Sequence, residues 1–331
     1  MTYRANGREP ADYDSNGYDY RSYWRGRDYE SHAEQHALGR LLPRLGHVEW
    51  FADLGGGFGR NLAHYADIAE HAVLVDYSAN NLRTAEARHY AAVDQGRLHL
   101  VRADLRALPF IDDAFDAAMV VRVLHHLTEL DRYLAEMSRT IRGRWLLDVP
   151  IKHHLLARLR ALRYGSAVPL NDPTPEITGT TSGAFRLYHL GAVRGSLDAL
   201  GWDTTEVASV NNLRRWDRRL PPRLTDVLQG PAAGIEAVAQ RVGRGWWGPS
   251  QFVLASRRDP ARPRLRPVPE QTQPHTRGLA ARMACPSCRG GLDWTDFAAF
   301  CRRCGLCYRH HDGFWDFAAG VPAPVPAEAI A

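Results

Sequence analysis

The stretch Phe51-Ala-Asp-Leu-Gly-Gly-Gly-Phe-Gly-Arg60 decides the fold of this chain. An apolar run ends at Asp53, and glycine then recurs at every second position, at Gly55, Gly57 and Gly59. Bare glycines let the backbone turn sharply and let a ligand approach main-chain N–H groups closely. A strand, such a turn and a helix together form the first half of a nucleotide-binding crevice. The stretch therefore predicts an α/β fold with a nucleotide at the loop.

The spacing of these glycines argues against a dinucleotide. The phosphate fingerprint G-x-G-x-x-G, counted from Gly55, would need glycine at position 60, and that position holds Arg60. A long side chain there hinders the approach of a pyrophosphate. The pattern G-x-G-x-G suits a ligand without a phosphate, such as S-adenosylmethionine, whose aminoacyl part would lie over the loop.

A second acidic residue lies at the end of the next predicted strand. Residues 72–75 read as a short buried strand that ends at Asp76, one helix downstream of the glycine loop. A carboxylate at the tip of the second strand is where folds of this type bind the two ribose hydroxyls. Taken alone, Asp76 is also compatible with a simple turn at a strand end. Its place after the glycine loop favours the ribose role.

Strand and helix signals alternate along the first part of the chain. Predicted strands lie at about 48–53, 72–76, 98–102, 115–121 and 144–149. Two more strands, at about 203–210 and 250–256, would form an antiparallel closing pair. The pattern predicts a Rossmann-like, mostly parallel seven-stranded α/β sheet with helices on both faces. Residues 152–185 read as irregular, and an insertion at this position could shape a substrate lid.

Several motifs resemble those of class I S-adenosylmethionine-dependent methyltransferases. The matching segments are 53–60, 75–78 and 103–105, and residues 108–127 are similar to the subgroup called type 11. The resemblance covers about residues 20–257 and implies S-adenosylmethionine as the cofactor. It implies that Gly55 and Gly57 line the methionine end, that Asp76 takes the ribose, and that Asp104 with Leu105 holds the adenine. The cofactor-binding residues expected on this basis are Asp53, Gly55, Gly57, Gly59, Asp76, Tyr77, Asp104, Leu105, Val121 and Arg27.

Two candidate groups lie near the expected crevice. His125 and His126 follow the fourth predicted strand, where a histidine suits proton abstraction from an acceptor. The alternative is that both histidines only pack or cap the start of a helix. Tyr23, Trp24, Arg27 and Tyr29 could fold over the cofactor, with Arg27 pairing its carboxylate. The alternative here is an amphipathic first helix whose aromatic residues belong to the core.

The C-terminal part contains two C-x-x-C pairs separated by twelve residues, Cys285–Cys288 and Cys301–Cys304. Four thiolates at this spacing complete a closed tetrahedral shell, which is typical of structural zinc. Two disulfides are the competing interpretation, which a cytosolic setting disfavours. Cys307 is then a spare thiol.

The block from Cys285 to Trp315 resembles the small zinc-ribbon family that activates tRNA, rRNA and release-factor methyltransferases. In that family the ribbon is commonly a separate subunit, whereas here it is fused in cis. We expect the ribbon to pack on the catalytic domain or to help dock a substrate. The predicted order is a flexible arm (1–20), the methyltransferase domain (21–257), a Pro/Arg-rich linker (258–280), the zinc ribbon (281–320) and a disordered tail (321–331).

Composition limits the setting in which the protein works. Of 331 residues, 45% are hydrophobic and 24% are charged, as in an ordinary globular protein. No apolar run is long enough to span a bilayer and the N-terminus lacks a signal-like stretch, so we expect a cytoplasmic protein with no membrane partner. The net charge is +5, with a single lysine, Lys152. Arginine clusters at 214–219 and 257–266 suit either RNA binding or a solvated face.

Two classes of function follow. The first is an enzyme that transfers a methyl group from S-adenosylmethionine to an unidentified acceptor, either a small metabolite or an RNA or protein. The second is a non-catalytic S-adenosylmethionine-binding scaffold, or an RNA-binding module, that recruits a partner through the ribbon.

Overall fold

The structure is a computed structural model that describes residue 14 and residues 23–165, 169–180, 183–219, 221–260, 265–266 and 278–322. The predicted flexible arm and disordered tail lie almost entirely outside the described residues. So does most of the predicted linker.

Strands and helices alternate through the first part of the described chain and give way to short strands near its end. The strands are β1 Val48–Leu54, β2 Ala69–Asp76, β3 Leu98–Arg102, β4 Phe115–Val120, β5 Ile141–Pro150, β6 Glu176–Thr180, β7 Gly183–Leu187, β8 Trp202–Val210, β9 Ser250–Arg257, β10 Leu292–Trp294, β11 Ala298–Cys301, β12 Leu306–His311 and β13 Phe314–Pro322. The helices are α1 Asp28–Leu41, α2 Leu62–Tyr65, α3 Ala79–Arg88, α4 Tyr90–Asp94, α5 Leu130–Thr140, α6 Leu155–Tyr164, α7 Leu190–Ala199 and α8 Pro222–Val242.

Seven strands form the predicted sheet, in the spatial order β3-β2-β1-β4-β5-β9-β8. The first five run parallel, β9 runs antiparallel to β5, and β8 runs antiparallel to β9. The predicted fold class, with its closing antiparallel pair, is confirmed. The sheet positions the carboxyl ends of β1 to β4 side by side, at the edge where ligands of such folds bind.

Side chains of the central strands alternate between two apolar layers. On β1, Trp50 and Ala52 face one layer, whereas Phe51 faces the other. The first layer includes Leu134 of α5 and the second includes Leu38 of α1, and all five of these side chains are buried. Because both faces of a parallel sheet are covered, its strands read as nearly continuous apolar runs.

The strands of the ribbon join the main sheet instead of forming a sheet of their own. The sequence did not predict this arrangement. Strands β10 to β13 make an antiparallel meander, and β13 then pairs in parallel with β3, so that one sheet of eleven strands results. Trp315 lies opposite Val101, and Asp316 lies opposite Arg102. The edge of β3 is thereby covered, which removes a row of unpaired backbone groups.

Charged side chains fasten the ribbon to the rest of the protein. Arg289 donates to both carboxylate oxygens of Glu136 on α5, at 2.6 and 2.7 Å. The guanidinium of Arg282 lies 4.3 Å above the ring of Trp50. Leu279, at the end of the predicted linker, is fully buried in the core of the sheet.

The interpretation of residues 152–185 as irregular is wrong in two places. Residues 155–164 form α6, and β6 and β7 pair as an antiparallel hairpin. Lys152, the single lysine, donates from Nζ to the backbone oxygens of Pro169 at 3.1 Å and Thr174 at 2.7 Å. Leu155, Leu156, Leu159 and Leu162 recur at helical spacing, yet α6 presents no buried face to the core.

Helix α8 covers α1 and had no counterpart in the sequence-based prediction. Gln240 donates to the backbone oxygen of Ala33 at 2.8 Å, and the hydroxyl of Tyr29 donates to Glu236. None of the helices in the described ranges is long and apolar enough to cross a bilayer.

Part of the arginine cluster at 214–219 is used inside the molecule. Arg218 contacts the buried carboxylate of Glu30 on α1 at 2.7 Å, and Arg214 approaches the same carboxylate at 4.0 Å. In the second cluster, Arg257 donates to the hydroxyl of Ser138 at 2.9 Å. These arginines therefore hold elements together.

Candidate functional site

Two adjoining clefts open at the carboxyl edge of the parallel strands. The first has an empty volume of about 710 Å³, including space open to solvent. Its lining comes from the segments that follow β1, β2, β3 and β4, together with α3 and α5. The lining residues are Gly55, Gly57, Asp76, Tyr77, Asn81, Ala103, Asp104, Leu105, Arg122, Val123, His126, Leu127 and Tyr133.

The glycine loop needs glycine at its first position. Gly55 has φ +79°, and a Cβ atom there would lie 2.3 Å from Cγ2 of Val123. Its N–H donates to the backbone oxygen of Val75 at 2.7 Å, which fixes the turn directly against β2. Any larger residue would therefore strain the backbone and collide with the segment after β4.

Asp76 is oriented by three donors. Its carboxylate accepts from the N–H of Gly57 at 2.8 Å, from the N–H of Ser78 at 2.9 Å and from the side-chain amide of Asn81 at 3.3 Å. Burial raises the pKa of Asp76, and these hydrogen bonds act in the opposite direction. The carboxylate is thus held in one position on the cleft wall, next to the loop.

The predicted adenine residues lie on the same cleft. The carboxylate of Asp104 accepts from the N–H of Arg106 at 2.8 Å and from Nε of Arg106 at 2.9 Å. Ala103, Leu105 and Leu127 add apolar wall beside it. An apolar wall with one fixed acidic group suits a planar ring that carries hydrogen-bond donors.

The second cleft shares Gly55 and Arg122 with the first and has an empty volume of about 310 Å³. It is lined by Glu34, Asp53, Gly55, Gly56, Phe58, Arg60, Asn61, Val121 and Arg122. The hydroxyl of Tyr65 donates to Asp53 at 3.1 Å, and burial raises the pKa of Asp53 to about 7. This cleft therefore combines acidic and basic side chains next to the glycine loop.

Glu34 joins the two arginines of the second cleft. Its carboxylate contacts Arg122 Nε at 2.6 Å and is also ion-paired with Arg60. The ring of Trp24 lies under both guanidinium groups, 3.7 Å from that of Arg60 and 4.9 Å from that of Arg122. Nη1 of Arg122 donates to the hydroxyl of Tyr23 at 3.0 Å. The predicted aromatic residues Tyr23 and Trp24 thus contact the arginines of the second cleft without lining either cleft.

The structure does not bring Arg27 to the lining of either cleft. Arg27 pairs with Glu30 at 3.1 Å and lies over the ring of Tyr23 at 4.1 Å. Gly59 is also absent from both linings, and its backbone oxygen contacts His89 Nε2 at 2.9 Å. The remaining predicted cofactor residues line the first cleft, the second cleft or both: Asp53, Gly55, Gly57, Asp76, Tyr77, Asp104, Leu105 and Val121.

Glu34 and Arg122 were not predicted from the sequence as site residues. The signal for Glu34 was absent because its partners lie far along the chain. Arg122 has φ +63°, a backbone conformation that is uncommon for a residue with a side chain. It lies just after β4, where functional residues of such sheets gather.

The two predicted catalytic histidines occupy different positions. His126 lines the first cleft, whereas His125 stacks on Phe185 of the β6–β7 hairpin at 4.2 Å. Burial, with a smaller effect of the nearby Arg186 charge, lowers the pKa of His126 to about 4. Burial also lowers the pKa of His125. His126 is therefore an uncharged group that can accept a hydrogen bond at the cleft.

The four predicted metal ligands converge. The sulfur atoms of Cys285, Cys288, Cys301 and Cys304 all lie within 4.8 Å of one another. Two of the pairs, Cys288–Cys301 at 3.4 Å and Cys285–Cys304 at 3.6 Å, join one turn to the other. Tetrahedral zinc at about 2.3 Å from each sulfur would separate the sulfurs by about 3.8 Å, so the arrangement fits zinc.

The alternative of two disulfides is not seen. All five cysteines lie within the described residues and are free, and Cys307 is buried on β12 outside the cluster.

Comparisons with known proteins agree with this geometry. Residues 52–144 match the family model described as "Methyltransferase domain". This region contains the glycine loop, β2 to β4 and both histidines. This part of the chain is therefore similar to a methyltransferase domain.

Among curated proteins, the chain is similar to a 2-phytyl-1,4-naphtoquinone methyltransferase of Trichormus variabilis, with 40% identity over 20% of this chain and 30% of the relative. It is also similar to the ubiquinone/menaquinone biosynthesis C-methyltransferase UbiE of Vibrio vulnificus, with 32% identity over 29% of this chain and 38% of the relative. The chain thus spans less than half the length of these curated relatives.

Among solved structures, one similar fold is that of a Listeria monocytogenes protein assigned as an S-adenosylmethionine dependent methyltransferase. The identity is 15%, the match covers 70% of this chain and 99% of that protein, and the TM-score is 0.50. At this identity the likeness concerns the fold alone.

Proposed function

We propose that this chain is an S-adenosylmethionine-dependent methyltransferase that acts on an acceptor not yet identified. The observation that carries the proposal is the contact between the glycine loop and Asp76 at the wall of the first cleft, where the Gly57 N–H donates to the carboxylate at 2.8 Å. This contact places a bare backbone turn and a fixed carboxylate on neighbouring parallel strands, as an adenosyl ligand requires.

We assign the adenosine half of the cofactor to the first cleft. Asp76 would accept hydrogen bonds from the ribose hydroxyls, since its carboxylate is oriented on the cleft wall. Asp104 and Leu105 would hold the adenine, with the apolar side chains of Leu127 and Val123 covering its faces. Tyr77 closes the same wall.

We assign the methionine half to the second cleft, which joins the first at Gly55. An amino acid carries both a cation and an anion, and this cleft offers both complements. Asp53 and Glu34 can face an ammonium group, while Arg60 and Arg122 can face a carboxylate. Arg60 therefore takes the role that the sequence suggested for Arg27.

When bound, S-adenosylmethionine supplies a methyl group already activated on its sulfonium. The chain then has to align the acceptor, exclude water and remove a proton where the acceptor carries one. Of the two histidines, His126 is the one that lines the cleft and could accept that proton. Its pKa of about 4 keeps it uncharged near neutral pH but makes it a weak base. His125 holds His126 in place from behind, with their rings 3.9 Å apart.

The four-cysteine cluster would hold one structural zinc ion. With all four positions filled by sulfur there is no open position for a substrate. The function of the zinc ion is then to stabilise the folded ribbon. Strand β13 of the ribbon pairs with β3, the strand that leads into Asp104 and Leu105. The partner of the chain is the methyl acceptor, a small metabolite or an RNA or protein.

A labelling experiment tests the proposal. The protein is incubated with isotopically labelled S-adenosylmethionine and a cell extract, and labelled products and S-adenosylhomocysteine are measured by mass spectrometry. We expect both to accumulate with the wild type and not with Asp76→Ala. Cofactor binding without any labelled product from any extract would favour the non-catalytic scaffold instead.

A further inference from the structure

Helix α6 leaves its apolar side chains in water. None of its residues is buried. Leu156, Leu159 and Leu162 are 51%, 53% and 85% exposed, and Tyr164 at the end of the helix is 74% exposed. Neighbouring large apolar side chains that remain exposed mark a surface for interaction.

The leucines share one side of the helix, and its charges are all positive. At 3.6 residues per turn, Leu155 and the three exposed leucines fall within a sector of about 120°. Arg158 and Arg160 border this sector on its two sides, and Arg163 lies within it. The helix contains no acidic residue. The charges beside and within the leucine sector are therefore all positive.

Helix α8 adds a second exposed apolar stripe. Val227, Ile235, Val238 and Val242 are 73%, 51%, 58% and 59% exposed. At helical spacing they share one face, away from the face on which Gln240 contacts α1. The last residue of the stripe, Val242, ends the helix and precedes Trp247 by five positions.

A hydrogen bond joins the start of α6 to the segment that follows α8. The N–H of Leu155, the first residue of α6, donates to the backbone oxygen of Trp247 at 3.3 Å. Trp246, beside it, is 43% exposed. Tryptophan and tyrosine are the residues that favour the boundary between water and lipid.

Both helices reach the edge of the sheet where the clefts open. Ser250, the first residue of β9, lies opposite Pro150, the last residue of β5. Ser250 also lies opposite Val210, the last residue of β8. Because β5 runs parallel to β1 to β4, the start of α6 and the end of α8 lie at the carboxyl edge.

We infer that the surface formed by α6 and the exposed stripe of α8 docks on an anionic lipid bilayer. Anionic headgroups complement Arg160 and Arg163, while the leucines enter the boundary between headgroups and acyl chains. A second copy of this chain would bring like charges together. A nucleic acid would leave the leucines in water.

A helix that lies flat on a membrane differs from one that crosses it. The expectation of no membrane partner rested on the length of apolar runs, which bears only on spanning segments. Docking would turn the cleft edge toward the lipid. The inference does not depend on which acceptor is methylated, so it can be tested separately from the proposed function.

Vesicle flotation tests the inference. The full chain is mixed with vesicles of phosphatidylcholine alone, or of phosphatidylcholine with phosphatidylglycerol. We expect flotation with the mixed vesicles only, and release by added salt. The double variant Leu159→Ser, Leu162→Ser should bind about tenfold more weakly or worse, because two apolar side chains no longer enter the lipid.

A matched control is available on the ribbon. Phe297 is 73% exposed and far from α6 in the chain, so Phe297→Ser should float as the wild type does. Unchanged melting temperatures would show that each variant folds. Failure of the wild type to float, or equal flotation of the leucine variant, would overturn the inference. A dimer that the leucine variant loses, seen by light scattering, would also overturn it in favour of self-association.

Cofactor titration on the same samples separates this inference from the proposed function. Flotation without S-adenosylmethionine binding would contradict the proposed function and leave the docking surface intact.

Discussion

The backbone N–H of Gly57 donates to Oδ2 of Asp76 at 2.8 Å, across 19 positions of the chain. This contact ties the turn after β1 to the tip of β2. It holds the carboxylate against the loop, and the proposed assignment of the ribose to Asp76 rests on this geometry. Asp76 therefore lies on the cleft wall and also fixes the position of the glycine loop.

Asp76→Ala should weaken S-adenosylmethionine binding by about 1–3 kcal/mol, because hydrogen bonds from the ribose to a charged acceptor are lost. Isothermal titration calorimetry measures the effect. Asp312→Ala, which removes an exposed carboxylate paired with Arg83, is the matched control and should bind as the wild type does. Equal affinities of the wild type and Asp76→Ala would refute the ribose assignment.

Arg60→Gln should weaken binding of S-adenosylhomocysteine by about 1.5–3 kcal/mol, because a charged partner of the carboxylate is lost. It should leave 5′-methylthioadenosine unaffected, since that compound lacks the aminoacyl part. Arg27→Gln is the control, because Arg27 pairs with Glu30 outside both clefts. Equal losses for both ligands would mean that Arg60 only supports the fold through Glu34.

Cys288→Ser should lose the bound zinc and lower the melting temperature, because a small ribbon draws its folding energy from the metal. Elemental analysis measures the metal content. Cys307→Ser should retain a full complement of zinc, since Cys307 lies outside the cluster. Full zinc retention in Cys288→Ser would rule out the site as drawn.

Stability should fall as the pH is lowered from about 6.5 toward 4. The pKa of His126 is about 4 in the folded protein, below its ordinary value of 6.5, so the unfolded chain binds more protons in this window. His153 and the half-buried His154 act in the same direction, each with a pKa lowered by burial to about 4. Asp53, with its pKa raised by burial to about 7, acts in the opposite direction and offsets part of their effect.

Urea unfolding at several pH values checks this prediction. His126→Gln should reduce the change of the free energy of unfolding with pH. His47→Gln, at an exposed position, is the control and should leave that change as in the wild type. A slope identical in the wild type and His126→Gln would show that His126 does not titrate as a buried group.

Local signals explain how much the sequence could predict. The glycine spacing, the acidic residue at a strand end and the two C-x-x-C pairs each lie within a few residues. They therefore indicated the loop, the place of Asp76 and the metal cluster. The structure brings the loop and Asp76 together at the first cleft, and the four cysteines together in the ribbon.

Long-range contacts explain what the sequence could not predict. Glu34 and Arg122 meet across 88 positions, and Arg102 pairs with Asp316 across 214. No periodic pattern encodes such pairings, so neither the arginine pair of the second cleft nor the eleven-stranded sheet was foreseen. Arg27 was chosen for its charge and its place near the N-terminus. Its short-range contact with Glu30 keeps it away from both clefts.

The central claim is that an adenosyl ligand without a pyrophosphate binds across the two clefts. Calorimetric titration of the wild-type chain with S-adenosylmethionine, and separately with NAD, tests it most directly. We predict saturable binding of S-adenosylmethionine at a single site and no binding of NAD. Tight binding of NAD, or no heat from S-adenosylmethionine, would contradict the claim.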